Sequence, residues 1–337
     1  MRHIFRKAVA GALLAASLLP SLALAQATYE LNIGSLAPKG TPWMNLLEQF
    51  EKEVEKESKD RINVIIRPAG VMGEVEMVRE TRKGERLQAC AVTTGALAEG
   101  GNIPQLSLVE LPFLFRDAAQ ADYVLDNVLF DVYGSVLNRR GFVLAIWSEN
   151  GWRSFGTKGD AIKTPADLKN FKMRSQESDV HMAMYKAFGG QAVQKPMTEV
   201  LTALQSGVID GLDNTALYIQ AGGLAEPLDH FTLTRHIYQP AAIVFSKRFF
   251  DGLPADLQTL LMNKRPMAVA GRSAIRSEEQ EMMANFELFG VDVHNLSAAE
   301  LEAFAVVART THDPFAASVE GGADILAKIR AGIAAAP

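Results

Sequence analysis

Arg174 lies in "FKMRSQES", residues 171–178, directly after Phe171 and Met173 where the pattern is that of a short strand entering a core. In an extended chain Phe171 and Met173 share one face while Lys172 and Arg174 share the other. A guanidinium is a planar fork that holds a carboxylate by two parallel hydrogen bonds. Two readings of Arg174 stand side by side. It is a surface arginine paired with an acidic neighbour such as Glu177, or, if its strand crosses between lobes, a charge facing a cleft, where one buried arginine dominates the local field.

Other chemistry is sparse. The six histidines, His3, His181, His230, His236, His294 and His312, include no pair at zinc-ligand spacing and no HExxH, so each reads as a surface or core residue. The pairs Gly100-Gly101, Gly189-Gly190 and Gly222-Gly223 belong to no dinucleotide or P-loop fingerprint and read as turns and helix ends. Ser154 and Ser246 lack the GxSxG setting of a hydrolase elbow. Cys90 is the only cysteine, which excludes an intramolecular disulfide, and its flanks Ala89 and Ala91 make it a small core residue. These absences argue against an enzyme, and nothing in the sequence calls for a metal or another cofactor.

The elements that must position Arg174 begin after an export leader. Arg2, Arg6 and Lys7 precede an apolar run and a small-residue cleavage site at Ala23-Leu24-Ala25, so residues 1–25 read as a cleaved signal peptide. The run is shorter than the roughly 20 residues of a spanning helix, and export places the chain in the periplasm. The net charge of −5 becomes about −8 without those three cations, a poor match for nucleic acid.

Alternation of Tyr29, Leu31 and Ile33, then of Ile62, Val64 and Ile66, with a third run over Leu87–Val92, predicts three strands. Between them lie a helix capped by Thr41-Pro42 and another over Glu74–Lys83. Strand–helix alternation implies a mainly parallel sheet, whose ligands sit beyond the carboxyl ends of the strands. Phe142–Trp147 reads as a strand followed by turn formers in "SENGWRSFGTKGD", Val244–Phe250 as a late strand, and Ala255–Phe289 as a long helical stretch interrupted by Pro266. Thr164 and Ser297 read as helix caps. The length predicts two lobes of discontinuous segments: 26–148 with 236–276, and 149–235 with 277–337.

Together, "GEVEMVRETRKG", "LVELPFLFRDAAQADYV", "GWRSFGTKGDAIKTPADLKNFKMRSQES" and "TEVLTALQSGVIDGLDNT" keep an order and spacing that resemble the DctP-like solute-binding subunits of TRAP (tripartite ATP-independent periplasmic) transporters. The resemblance implies two α/β lobes joined by crossing strands and a long helix. It further implies a receptor, not an enzyme, that closes on an organic acid and delivers it to membrane permease subunits; a monomer is the default expectation.

Arg174 takes the family's carboxylate-pairing position, Arg153 a second basic position that reaches the ligand or supports the first, and Asn214 a ligand-amide position. Departures from the family pattern shape the expected ligand. Leu212 and Thr215 make the asparagine segment different, Met197 replaces an aromatic shelf, and Ser175-Gln176-Glu177 replaces Val-Pro after the arginine, which puts Gln176 and Glu177 near the site. Glu177 would oppose a second ligand carboxylate. The expectation is therefore a monocarboxylate with an apolar body, contacted from the first lobe near Trp43 and Thr94. The rival readings are an enzyme acting on a similar acid and a sensory or lipid-carrying protein on the same scaffold.

Overall fold

The computed structural model describes residues 28–68 and 72–337; the leader expected over 1–25 lies outside them. Nine strands form one continuous sheet among the described residues. They are β1 (Tyr29–Ser35), β2 (Ile62–Pro68), β3 (Ala89–Thr93), β4 (Phe142–Thr157), β5 (Lys172–Ser175), β6 (Gln191–Gln194), β7 (Gly211–Asn214), β8 (His230–Ser246) and β9 (Asp292–Asn295). The order is β2-β1-β3-β8-β4-β7-β5-β6, with β9 added on β8. β1 pairs parallel to β2 and β3, and β5 parallel to β6 and β7.

The two long strands make this one sheet out of two lobes. β4 and β8 run antiparallel from Phe142↔Ser246 in the first lobe to Thr157↔His230 in the second. The expected strand at Phe142–Trp147 therefore does not end in turns. It continues through "SENGWRSFGT", because Gly151, at φ +111°, accommodates a register shift opposite Gln239 in a conformation that side chains disfavour. The late strand likewise lies earlier than expected: β8 ends at Ser246, and Lys247–Asp251 is a short helix.

Period-two burial explains the two-sided cores. In the first lobe Cys90, Val92, Leu144 and Val244 face one apolar cluster, while Ala89, Ala91, Ile243 and Phe245 face the other. In the second lobe Leu212 and Phe231 face one cluster, and Phe155, Met173 and Ile237 the other. The Pro42–Ser58 helix, capped by the Thr41 hydroxyl as read from sequence, buries Leu46, Leu47, Phe50 and Val54. Burial pushes the Cys90 thiol up to about 12, as befits a core residue.

The long helical stretch divides at Pro266 into helices Ala255–Met262 and Met267–Asn285. The second of these ties the lobes together. Near its start Gly271 packs on Leu46 and Arg272 pairs with Asp126, while near its end the Met282 carbonyl accepts from the Gln220 amide at 2.5 Å. The final helix, Gly322–Ala335, does not follow the expected lobe division. Its Ile325, Leu326 and Ile329 bury themselves in the first-lobe cluster with Leu106 and Leu129.

Candidate ligand-binding site

The parallel strands of both lobes end at a common cleft. β1 delivers Ser35 and β3 delivers Thr93 from the first lobe, while β5 leads into Gln176 and β7 ends in Asn214 in the second. The cleft encloses about 640 Å³ not filled by protein atoms, part of it open solvent. Arg174, Arg153, Asn214, Gln176, Glu177, Met197 and Trp43 all line it. Thr94 does not. It is fully buried one residue behind Thr93, and its hydroxyl donates to Glu110.

Arg174 reaches the cleft by a route other than the expected one. β5 is a four-residue strand inside the second lobe and does not cross between lobes; the crossing strands are β4 and β8. Met173 points into the core and Arg174 to the opposite face, where it is only 3% exposed. Its Nε donates to the Lys195 carbonyl at 2.9 Å, whereas Nη1 is buried without a partner. Among the described residues no carboxylate lies within ion-pair distance of it, Glu177 included. Burial, followed by the charge of Arg153, depresses its pKa to about 10, against the opposing pull of Asp213, Tyr185 and Glu177. A buried cation without a counter-ion is costly.

Arg153 has the opposite situation. Its Nε donates to Asp213 Oδ2 at 2.5 Å, Nη1 to Gln239 Oε1 at 2.7 Å and to Asn214 Oδ1 at 3.3 Å, and Nη2 to the Asp213 carbonyl. It braces the site instead of offering a free fork. Asn214 is oriented by the same network: its Oδ1 also accepts from Asn150 at 3.1 Å and from the Thr215 amide at 2.9 Å. With the oxygen so engaged, the Asn214 NH₂ group is the part of this amide left to donate to a ligand.

Behind the cleft lies a buried polar core that sequence reasoning did not foresee. His181 Nε2 lies 2.8 Å from Glu110 Oε2, and its Nδ1 is 3.6 Å from Asp213 Oδ2. Gln176 and Gln239 each donate to Glu110 Oε2 at 3.1 Å, which links the first-lobe Glu110 to the second lobe. Tyr185 donates to Asp213 Oδ1 at 2.8 Å, and His236 Nε2 stands 3.5 Å from Asp213 Oδ2. Burial alone would raise the Asp213 carboxyl, but Arg153, His181 and His236 hold it well below the usual carboxylate range. The six histidines were read one by one as surface or core residues. His181 and His236 are core residues, but linked to acids 71 and 23 positions away.

Glu74, Asn150 and Gln239 also line the cleft without having been anticipated. Glu74 opens the helix in "GEVEMVRETRKG", and Asn150 falls in the run read as turns. Among the described residues no three histidine, cysteine or acidic side chains converge as a metal-ligand set, and no helix is long and apolar enough to cross a membrane.

Two α/β lobes, joined by paired crossing strands around a cleft lined by a buried guanidinium whose Nη1 has no protein partner, have the architecture of a bacterial solute-binding protein. The chain belongs to the DctP family, the bacterial extracellular solute-binding proteins of family 7, whose model matches residues 33–318. It is 33% identical over 273 residues to a solute-binding protein of Verminephrobacter eiseniae, covering 80% of each chain. It is 29% identical over 282 residues to the 2,3-diketo-L-gulonate-binding periplasmic protein of Escherichia coli, covering 83% of this chain and 84% of that one. The crystal structure of a TRAP periplasmic solute-binding protein from Polaromonas sp. JS666, bound to D-erythronate, superposes with a TM-score of 0.84 at 28% identity, covering 90% of this chain and 98% of that one. The chain is accordingly a solute-binding protein of the TRAP type.

Proposed function

We propose that this receptor holds the carboxylate of a monocarboxylic acid on Arg174, closes its lobes over the ligand in the periplasm and delivers it to the membrane permease subunits of its transporter. The observation that carries this reading is the buried Arg174 Nη1 without a protein partner. Asn214 supplies a neighbouring amide donor, and Arg153, committed to Asp213, fixes both without binding a second carboxylate. Closure follows from charge pairing: a guanidinium excluded from water is favourable only when its anion is enclosed with it, so the right ligand stabilises the closed form. A diketogulonate binder and an erythronate complex among the relatives are named for acids with one carboxylate, and the Rhodobacter capsulatus relative is named for C4-dicarboxylates, so the choice of one carboxylate rests on the arginines and not on the names.

Lobe assignment follows the hinge: residues 28–148 and 236–276 form the first lobe and 149–235 with 277–311 the second, with the terminal helix returning to the first. Asn150, Gln176 and Gln239 line the cleft but are bonded to one another and to Glu110, Asn214 and Arg153, while Leu36, Trp43, Val75 and Met197 give it apolar walls. Mass spectrometry of the acid released from the purified protein on denaturation, repeated on Arg174→Ala, tests the proposal. A monocarboxylate present in the first and missing from the second supports it. A neutral lipid in both would move a lipid-carrying role ahead.

A further inference from the structure

The stretch "LPFLF", residues 111–115, belongs to one of the motifs that mark the chain, yet none of its residues lines the cleft. It runs behind the crossing strands. Phe113 and Trp152 line a groove there with Arg235 and with Leu301 and Ala305 of the helix Ala298–Arg309. Trp152 and Arg153 are successive on β4, and Arg153 lines the cleft, so groove and cleft lie on opposite faces of the crossing strands. Phe113 follows first-lobe residues along the chain but packs against the second-lobe cluster that holds Phe155 and Ile237, whereas Leu114 and Phe115 pack with the first-lobe cluster. A φ of +52° at Phe113, uncommon for an aromatic residue, goes with this change of lobe. β8 bulges at the same level: Arg153 pairs with Ile237 and Phe155 with Thr232, which leaves residues 233–236 opposite Ser154 alone, with Arg235 at φ +44°. The His236 carbonyl accepts from the Phe113 amide at 2.7 Å, and the Pro112 carbonyl accepts from His312 Nε2 at 2.7 Å, where the chain returns to the first lobe.

Accepting that the lobes close on a ligand, we propose that Phe113 is a positioning residue for capture: lodged in the second lobe from behind the hinge, it is the fulcrum that sets the resting angle between the lobes. Any rotation about β4 and β8 that narrows the cleft changes the groove in the opposite sense, so a bulky side chain seated across the groove limits how far the lobes swing. The two bonds to His236 and His312 hold its backbone at points where the chain passes between lobes, and they keep Phe113 in a conformation that an unsupported loop would leave. On the cleft side the same segment carries Glu110, which accepts from Gln176 and meets His181 of the second lobe. One first-lobe segment thus grips the second lobe on both faces of the hinge. A receptor loosened there spends less time at a binding-competent angle, and its apparent affinity falls by that fraction.

Spin labels on Glu48→Cys in the first lobe and Gln205→Cys in the second, both exposed positions, give the interlobe distance by double electron–electron resonance, with the buried Cys90 left unlabelled. D-erythronate, L-gulonate and succinate serve as probes on ligand-stripped protein, and stopped-flow fluorescence gives the rates for whichever of them shortens the native distance. Phe113→Ala should broaden the ligand-free distance distribution by about twofold and slow association by about tenfold, with dissociation changed by less than about twofold, because Phe113 touches no ligand. Phe113→Leu, which keeps an apolar body, should restore most of both, and His312→Ala, which removes the bond to Pro112, should broaden the distribution and slow association as Phe113→Ala does. His312→Ala carries the test if Phe113→Ala fails to fold. A residue that only fills space would lower Tm and leave the distribution and the association rate native. That result, or a loss of affinity that appears in dissociation, overturns the role of Phe113 while the receptor reading stands. A native distance that responds to none of the three acids removes lobe closure itself and this inference with it.

Discussion

Replacing Arg174 by methionine should make the ligand-free protein more stable and the receptor useless. The guanidinium is 3% exposed, its Nη1 has no partner and its pKa is depressed to about 10. Because the folded value lies below the unfolded one, the charged form destabilises the ligand-free fold at every pH below about 10. At about 1.4 kcal/mol per pH unit that depression corresponds to roughly 3 kcal/mol. Methionine fills similar volume without charge but gives up the 2.9 Å bond from Nε to the Lys195 carbonyl, a loss of about 1 kcal/mol. The net expectation is a gain of about 1–2 kcal/mol, read as a higher urea midpoint and a Tm rise of about 2–4 °C. Binding should move the other way. Loss of one partner of a desolvated ion pair removes at least about 2 kcal/mol, or about 30-fold in Kd. Arg174→Lys should recover part of the affinity, since an ammonium restores charge without the fork. A methionine variant that is less stable when ligand-free and binds the acid with unchanged Kd would show that Arg174 is a structural residue, and the reasoning from its missing counter-ion would be wrong.

Arg153→Met should have the contrary outcome, a loss of about 3–5 kcal/mol of stability in urea, because Asp213 would remain buried without its main counter-charge; a loss below about 1 kcal/mol would mean that Tyr185, His181 and His236 satisfy the carboxylate unaided. Acid should destabilise the protein in two stages. His236 is pushed down chiefly by burial, against the pull of Asp213, so below about pH 6.5 the unfolded chain takes up a proton that the folded one refuses. Asp213 and Glu110, held low despite burial by their hydrogen bonds and cationic neighbours, add stability above about pH 4 that is lost as pH falls through their folded values. Urea midpoints that stay level from pH 8 to 5 would contradict the first stage, which His236→Gln should diminish. Gly95→Ala should hinder closure, since its added Cβ would lie 2.3 Å from Gln176 Nε2 and 3.1 Å from Glu110 Oε2. The expected result is a ligand affinity reduced by tenfold or more, about 1.4 kcal/mol, with a larger radius of gyration in small-angle scattering of the ligand-loaded protein. Native-like closure would mean that Gln176 swings aside.

The parts of the fold legible in the sequence are those set by local rules. Thr41-Pro42, the alternation in β1 and β2, and the break at Pro266 each act within a few residues, and each stands where periodicity and capping put it. The run "SENGWRSFGT" was misread for a local reason too: its serine, asparagine and glycines favour turns in isolation, but pairing with β7 and β8 on either side holds it extended. Thr94 was one position off because the strand and the helix after it meet at Thr93, and a shift of one residue exchanges the cleft for the core. Long-range pairing was beyond reach. Nothing near Arg153 announces Asp213, sixty residues on, and nothing near His181 announces Glu110.

The two arginines show what this means for function. Both are nearly inaccessible, both line the same cleft, and they are 21 positions apart on neighbouring parts of one lobe. Composition alone does not separate them, yet Arg153 is a brace held by Asp213 while the Arg174 Nη1 has no protein partner. Asp213 makes the difference. Its β7 position lies across from Phe155 on β4, which sets its carboxylate beside the Arg153 guanidinium, while the same strand pairs Leu212 with Arg174 and offers that arginine no acid. A single carboxylate thus satisfies one cation and leaves the other to be satisfied from outside. Moving that carboxylate along β7, in the double variant Leu212→Asp with Asp213→Leu, would bury a charge pointing to the other face of the strand and strip Arg153 of its partner. On the proposed reading, selection of an anion by the cleft therefore resides in the register of β7 as much as in the presence of Arg174.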